Sequence, residues 1–103
     1  MSSQARLALW DHIVRRLKLP AQLKLILLVI ANYIEPNGGC SRVPLTLLSR
    51  DSNLETSELS LLLLSLEGRN LVSRVIVHPE GGGPTIVLYS LSATLLQAVQ
   101  NFH

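Results

Sequence analysis

The chain has 103 residues, of which 48% are hydrophobic and 16% are charged, and its formal net charge is +2. This length predicts one domain, and the apolar content is too high for a disordered chain. A single cysteine excludes a disulfide framework and a cysteine-built zinc site. The sequence also has no run of the roughly 20 apolar residues that a membrane helix needs, so we expect a cytoplasmic globular protein.

The basic charge is concentrated near the N-terminus. Residues 1–24 contain five Lys and Arg against one Asp, whereas residues 25–103 contain four Arg against six acidic residues. Such an asymmetry within one chain indicates a charged partner. Leucine is more abundant than a core of this size needs, which also predicts a homo-oligomer or a protein partner.

An amphipathic helix is predicted over about residues 4–17, inside a basic N-terminal segment of residues 1–18. Its apolar residues recur at helical spacing, and they are Leu7, Trp10, Val14 and Leu17. Leu19 precedes a proline and is therefore biased away from helical backbone angles, so the helix ends before it. Pro20 suits the first position of a second helix. The apolar face of that helix consists of Leu23, Ile26, Leu27, Ile30 and Ile34.

Glycine and proline in the segment 35–39 predict the end of the second helix, and "CSRV" after it predicts a short strand. Pro44 is placed to open a third helix that extends to about Asp51. Asn53 follows that helix, and asparagine tolerates left-handed backbone angles, so it can form a tight turn. A fourth helix is predicted over about residues 56–68. Its core-facing leucines are Leu59, Leu62, Leu63 and Leu66.

Two β-branched, alternating segments follow, residues 71–78 and 85–91, and the glycine-rich "PEGGGP" joins them. This pattern predicts a β-hairpin with a flexible tip. Asn70 stands between the fourth helix and the hairpin, where it can form a second left-handed turn. Ser92 is a suitable cap for a final helix in the C-terminal segment 92–103. The apolar residues of that helix are Leu95, Leu96, Val99 and Phe102.

Three segments of the sequence resemble motifs of a known family. "LPAQLKLILLVIANYIEPNGGC" is similar to an opening helix with a glycine-ended turn. "VPLTLLSRDSNL" is similar to "P…LA+xTGL", and "LSLLLLSLEGRNLVSR" is similar to "V…L+xLexxGLV+R". Asn53 and Asn70 replace the usual glycines. Together these segments resemble the winged helix-turn-helix proteins of phages and plasmids, over about residues 19–91. The resemblance implies a mostly α-helical winged domain that acts in replication initiation or transcription regulation of mobile elements.

In such a motif the second helix enters the major groove with its N-terminal residues. Thr56, Ser57 and Ser60 would then contact bases or phosphates through their hydroxyls. Relatives usually carry Arg or Lys just after the turn, but this chain has none between Arg50 and Arg69. We therefore expect cations outside this helix to supply the phosphate contacts. They are Arg15, Arg16, Lys18, Lys24, Arg42, Arg50, Arg69, Arg74 and His78.

Leu61 and Leu64 are predicted on the outer side of the fourth helix, away from its core-facing leucines. Three alternatives remain open for them: another helix of the chain covers them, a second protein contacts them, or they touch DNA. An interface with a protein would also use the apolar residues of the last helix. The expected interface residues are Leu61, Leu64, Leu95, Val99 and Phe102.

The sequence lacks the signs of an enzyme. Its three histidines have no metal-site spacing, and "EGGGP" lacks the Lys and Ser/Thr of a phosphate-binding loop. We expect no catalytic residue, metal, cofactor or small-molecule substrate. The preferred function is binding of double-stranded DNA by a dimer. The alternative is a winged-helix module that binds another protein through the apolar side of its fourth helix.

Overall fold

The computed structural model describes residues 2–33 and 42–101, which form helices and a small antiparallel sheet. The helices in these ranges are α1 (Ser2–Asp11), α2 (Ala21–Ala31), α3 (Leu45–Ser52), α4 (Thr56–Gly68) and α5 (Ala93–Asn101). The strands are β1 (Val43–Pro44), β2 (Val72–Val77) and β3 (Ile86–Leu91), and they pair in the order β1-β3-β2. The predicted mostly helical winged fold with a small β-hairpin is confirmed.

A left-handed asparagine joins α3 and α4 into a helix-turn-helix unit. Asn53 has φ 60° and ψ 32°, and its amide donates a 3.0 Å hydrogen bond to the Ser49 carbonyl. The Ser49 hydroxyl donates a 2.7 Å hydrogen bond to the Leu54 carbonyl across the turn. Asparagine adopts left-handed angles more readily than most residues that carry a Cβ. The prediction of Asn53 as the turn residue is therefore confirmed.

One side of α4 fills the core. Leu59, Leu63 and Leu66 are fully buried, and their i, i+4, i+7 spacing places them on one side of the helix. They belong to one cluster with Leu48 of α3 and Ile26 of α2. Leu62, which was also predicted to face the core, is only partly buried. Leu45, Leu54 and Leu71 are likewise partly buried against this cluster. The cluster determines which side of α4 remains in solvent.

The start of α5 is bonded to the turn after α4. Asn70 is left-handed, with φ 60°, which confirms its predicted conformation. Its carbonyl accepts a 2.7 Å hydrogen bond from the Ser92 hydroxyl, and the same hydroxyl accepts one from the Leu95 amide at 3.0 Å. Ser92 is therefore the N-cap of α5, as predicted.

Two of the expected interface residues lie in the core. Leu95 and Val99 are only 2% and 8% exposed. The prediction that they form an exposed protein interface is wrong, because α5 turns its apolar face onto the chain's own core. Phe102, the third residue predicted there, lies outside the described residues, as do Ile34 and the predicted turn at 35–39.

The N-terminal segment does not form one continuous α-helix. α1 ends at Asp11, and a π-helical turn follows over His12–Arg16. The Leu17 amide closes this turn with a 3.2 Å hydrogen bond to the His12 carbonyl. A π turn contains more residues than an α turn, so the 3.6-residue spacing read from the sequence does not continue through it.

The buried face of this segment also differs from the prediction. Leu7 and Val14, from the predicted stripe, are 58% and 50% exposed. Leu9 and Ile13 are buried instead, and they also have helical i, i+4 spacing. The sequence thus contains two apolar stripes, and only packing against α2 and α5 selects between them.

α2 lies at the centre of the domain. Leu23, Ile26, Leu27 and Ile30 are buried as predicted. Pro20 stands at the N-cap, with φ −55° and ψ 150°, so the helix begins at Ala21, one residue after the predicted first position. Because proline has no amide hydrogen, Pro20 itself adds no unsatisfied donor to the start of this helix.

β2 and β3 form the wing. They pair from Val72 opposite Leu91 to Val77 opposite Ile86. At the tip, Gly81, Gly82 and Gly83 have φ values of 82°, 84° and 135°, which glycine adopts without steric cost. The base of the wing is buried, whereas Ile76, Val77 and Ile86 near its tip are exposed.

Candidate nucleic-acid interface

The first turn of α4 presents hydroxyl groups to solvent. Thr56, Ser57 and Ser60 are exposed, and of the three Ser57 lies opposite the buried leucines. Glu58 is also exposed, and its Oε1 accepts a 3.1 Å hydrogen bond from Gln22 Nε2. This bond holds the start of α2 beside the start of α4.

Part of the basic N-terminal segment lies near these hydroxyls. Lys18 is exposed in the connection before α2, four residues before Gln22. Because Gln22 contacts Glu58 of α4, the connection and the first turn of α4 belong to the same end of the domain. Arg16 is exposed in the π-helical turn that precedes this connection.

Three of the predicted DNA-contacting arginines form ion pairs within the chain. Arg15 Nε lies 2.9 Å from Asp11 Oδ1, and Arg50 Nε lies 2.9 Å from Asp51 Oδ1. In the wing, Arg74 Nε lies 3.3 Å from Glu67 Oε1. Exposed pairs of this kind contribute little to stability, about 0–1 kcal/mol. Each pair nevertheless cancels the local positive charge that would attract phosphate.

Arg50 belongs to a hydrogen-bonded group at the junction of α2 and α3. The Tyr33 hydroxyl donates to Asp51 Oδ2, and Arg50 Nη2 donates to the Tyr33 oxygen at 3.4 Å. The hydrogen bonds from Tyr33 and then from Arg50 lower the pKa of the Asp51 carboxyl. The bond to Asp51 raises the pKa of the Tyr33 hydroxyl. This position of Arg50 links two helices.

Lys24 likewise bonds to the chain itself. Its Nζ donates a 2.8 Å hydrogen bond to the Val14 carbonyl in the π-helical turn.

Three other cations differ from these bonded residues, because they form no ion pair or side-chain hydrogen bond within the described ranges. They are Lys18, Arg42 and Arg69. Arg42 precedes β1, Arg69 follows α4, and the exposed His78 follows β2. The positive charges of Lys18, Arg42 and Arg69 are therefore available to a phosphate backbone.

The outer ridge of α4, which we define as Ser57, Leu61, Leu64 and Gly68, is open to solvent. Leu61 is 70% exposed and Leu64 is 59% exposed. The alternative in which another helix of the chain covers them is therefore wrong. A leucine ridge on a helix placed to enter the major groove offers few hydrogen bonds to base edges.

The wing also carries exposed apolar surface. Glu67 and Leu64 are neighbours at i, i+3 on α4, and Arg74 and Ile76 share one face of β2. The Glu67–Arg74 ion pair joins the two elements. Ile76 is 50% exposed, so the wing adds an exposed apolar side chain on the face of β2 that carries this ion pair.

A second exposed apolar area lies between the N-terminal segment, including its π-helical turn, and the second half of α2. The recess there is open, has a volume of about 280 Å³, and is lined by Trp10, Val14, Leu28 and Asn32.

Within residues 2–33 and 42–101, no three His, Cys, Asp or Glu side chains come together as a metal site. No helix in that part of the chain has the length and apolar character needed to span a membrane.

The intrachain pairing of the arginines was the main feature missing from the sequence predictions. Asp11 and Arg15 are spaced i, i+4 on a helix, so this pair could have been found from the sequence. The Arg74–Glu67 pair joins a strand to a helix, and its position depends on the Asn70 turn. Tyr33 was not predicted at all, because nothing in its local sequence places it beside Asp51.

No family model and no curated protein matches the sequence. The fold is similar to that of a possible transcriptional regulator from Methanosarcina mazei Go1. The TM-score is 0.58 and the identity 13%, over 91% of this chain and 75% of that one.

Two further solved structures have a similar fold. BpsR of Bordetella bronchiseptica, whose DNA binding is regulated by 6-hydroxynicotinic acid, gives a TM-score of 0.56 at 16% identity. This match covers 98% of this chain and 65% of that one. NadR in complex with 4-hydroxyphenylacetate gives a TM-score of 0.51 at 23% identity, over 96% and 67% of the two chains. At these identities the similarity shows the fold alone, a winged-helix-like fold.

Proposed function

We propose that this chain is a DNA-binding winged-helix regulator of a phage- or plasmid-like system, acting in transcription or replication as a dimer. The observation that carries the proposal is the helix-turn-helix unit. The left-handed Asn53 and the buried inner leucines of α4 hold the hydroxyls of its first turn in solvent. The mobile-element context rests on the resemblance of residues 19–91. The dimer that binds DNA rests on the second exposed apolar area, around Trp10 and Val14, which does not include the outer ridge of α4.

Phosphate contacts supply most of the affinity in this proposal. Lys18, Arg42 and Arg69 are exposed and have no acidic partner in the described ranges, so they bind phosphate without first breaking an ion pair. Thr56, Ser57 and Ser60 add hydrogen bonds to bases or backbone. Sequence preference then depends largely on DNA shape, because α4 has no Arg or Lys to pair with guanine.

Fluorescence anisotropy with a labelled duplex pool tests this proposal. If three phosphates are neutralised per chain, log Kd rises with log salt at a slope of about 3, and a dimer gives about 5. Replacing Lys18, Arg42 and Arg69 together by alanine should abolish binding at moderate salt. Arg15→Ala is the matched control, because Arg15 already pairs with Asp11, and its loss should change affinity little. Absence of binding at low salt would overturn the proposal.

The second candidate function is protein binding, and the exposure of Leu61 and Leu64 favours it. In this alternative the winged domain presents the outer ridge to another protein. Replacing both leucines by glutamate should abolish complex or oligomer formation while circular dichroism still shows a folded chain. An unchanged mass in light scattering would rule this alternative out.

A further inference from the structure

We infer that the outer ridge of α4 pairs with the same ridge of a second copy of this chain, with the two helices antiparallel. The inference rests on the protein-binding function of α4 and not on DNA binding. It identifies the occupant of the ridge, the geometry of the contact and its effect on access to the first turn of α4.

The distribution of large and small residues suits a twofold contact. At about 100° per residue, the four residues of the outer ridge lie within roughly 60° of one another around the helix. Leu61 and Leu64 stand in the middle, and Ser57 and Gly68 stand at the ends. An antiparallel twofold arrangement places Leu61 against the partner's Leu64. The small end residues permit close approach, and the space around Gly68 is open.

The charges on α4 are complementary to themselves in this arrangement. Glu58 lies near the start of the helix and Arg69 just after its end, and both project from the same flank of the outer ridge. A twofold axis through the middle of the leucine pair brings Glu58 and the partner's Arg69 to the same flank. Their positions along the helix axis then differ by only about 3 Å, at 1.5 Å per residue.

Within the described ranges of a single chain, Arg69 has no acidic partner. In this contact it gains one, Glu58 of the second copy. Glu55 precedes the first turn of α4 and adds a second carboxylate near the same position. Two Glu58–Arg69 pairs form, one at each end of the helix pair. The antiparallel helix dipoles also place each positive N-terminus beside a negative C-terminus. A parallel arrangement would place like helix ends beside each other and the charged side chains on opposite flanks.

The size of the contact predicts a weak dimer. A helix of 13 residues is about 20 Å long, and one ridge of it buries less than the roughly 800 Å² per partner of a standard interface. Ile76 on the wing is a further exposed apolar residue. We therefore expect a dissociation constant in the micromolar range, with rapid exchange of copies.

Pairing through this ridge excludes DNA from α4. Ser57 belongs to the ridge, and Ser60 lies beside it. A second copy on the ridge covers these hydroxyls, so the paired form cannot insert α4 into a groove. DNA and the second copy then compete for the same helix, and a higher protein concentration weakens binding to DNA.

Sedimentation velocity over a range of concentrations measures the pairing without DNA. The wild-type chain should shift from its monomer mass of 11.3 kDa towards twice that mass. Leu61→Gln with Leu64→Gln should remain monomeric while circular dichroism shows a folded chain. Leu7→Gln is the matched control, because Leu7 is also a highly exposed helical leucine, and it should pair like the wild type.

Charge reversal tests the geometry. Arg69→Glu should weaken pairing about tenfold or more, because it sets the new carboxylate of one copy against Glu58 of the other. Adding Glu58→Arg to that variant should recover the pairing. A wild-type chain that stays monomeric, a control that dissociates while the double glutamine variant still pairs, or a reversal without recovery would overturn the inference.

Competition is measured separately by adding duplex DNA to the paired protein. The paired fraction should fall as DNA binds. If DNA binds and the paired fraction is unchanged, the proposed competition between DNA and the second copy is contradicted. If DNA does not bind at all, the proposed DNA-binding function fails, while the mass measurements still decide the pairing.

Discussion

The two sides of α4 are built from the same amino acid in opposite environments. Leu59, Leu63 and Leu66 are completely buried, while Leu61 and Leu64 are mostly in solvent. Composition does not distinguish these two sets. The rotation of α4 about its own axis distinguishes them, and the turns at Asn53 and Asn70 set that rotation. A leucine-rich segment therefore becomes half core and half interaction surface.

Truncation of one leucine on each side of α4 should give the largest difference in the free energy of unfolding. Leu63→Ala should lower the free energy of unfolding by about 2–5 kcal/mol, because it removes buried methyl groups and leaves a cavity. Leu61→Ala should change it by less than about 0.5 kcal/mol, as for other exposed sites. Urea denaturation of dilute protein measures both. Equal losses would mean that the outer ridge is covered in the folded monomer.

The Asn53 turn is the next place to test what orients α4. Asn53→Ala should destabilise the domain by about 1 kcal/mol, because alanine is strained at φ 60°. Asn53→Gly is the control and should be close to neutral, since glycine adopts this conformation freely. Denaturation midpoints compare the two variants. A harmless alanine would show that the turn does not restrain the helix.

Alkaline pH should weaken the buried side of the fold. Tyr89 of β3 is buried, and burial raises the pKa of its hydroxyl from 10.0. Because the folded chain keeps this phenol neutral, its contribution to stability is complete below pH 10 and is lost as the pH rises through the raised pKa. The melting temperature of the wild type should fall in that range, and that of Tyr89→Phe should fall less.

The ion pair between α4 and the wing should have the smallest effect. The Arg74 and Glu67 side chains are both partly exposed, so their coupling energy should be at most about 1 kcal/mol. A double-mutant cycle with Glu67→Gln and Arg74→Gln measures it. A coupling well above this value would mean that the pair fixes the wing against α4 more rigidly than its exposure indicates.

The helix-turn-helix unit could be predicted from the sequence because its signals are local. Two asparagines at helix ends and leucines at i, i+4, i+7 specify both the turns and the core face. The N-terminal segment could not be predicted in this way, since Leu7–Val14 and Leu9–Ile13 are both helical stripes. α5 posed a similar problem, because an apolar helix face can pack on its own chain or on another.

The candidate site was only partly predictable for a related reason. The outward-facing positions of Ser57, Leu61 and Leu64 follow from helical spacing alone, but spacing leaves open whether another helix covers the two leucines. The electrostatic state of the arginines does not follow from the sequence either. Arg74 meets Glu67 through a tertiary contact, and Tyr33 joins Arg50 and Asp51 from a distant part of the chain. A count of cations therefore overstates the charge available to a phosphate.

The three intrachain ion pairs also make the charge of this surface easy to change during evolution. Asp11→Asn, Asp51→Asn and Glu67→Gln would each release one arginine, and together they would raise the formal net charge from +2 to +5, since each removes one negative charge. None of these substitutions alters a buried leucine or the outer ridge of α4. Attraction to a polyanion can thus be adjusted in single steps, at surface positions separate from those that maintain the fold.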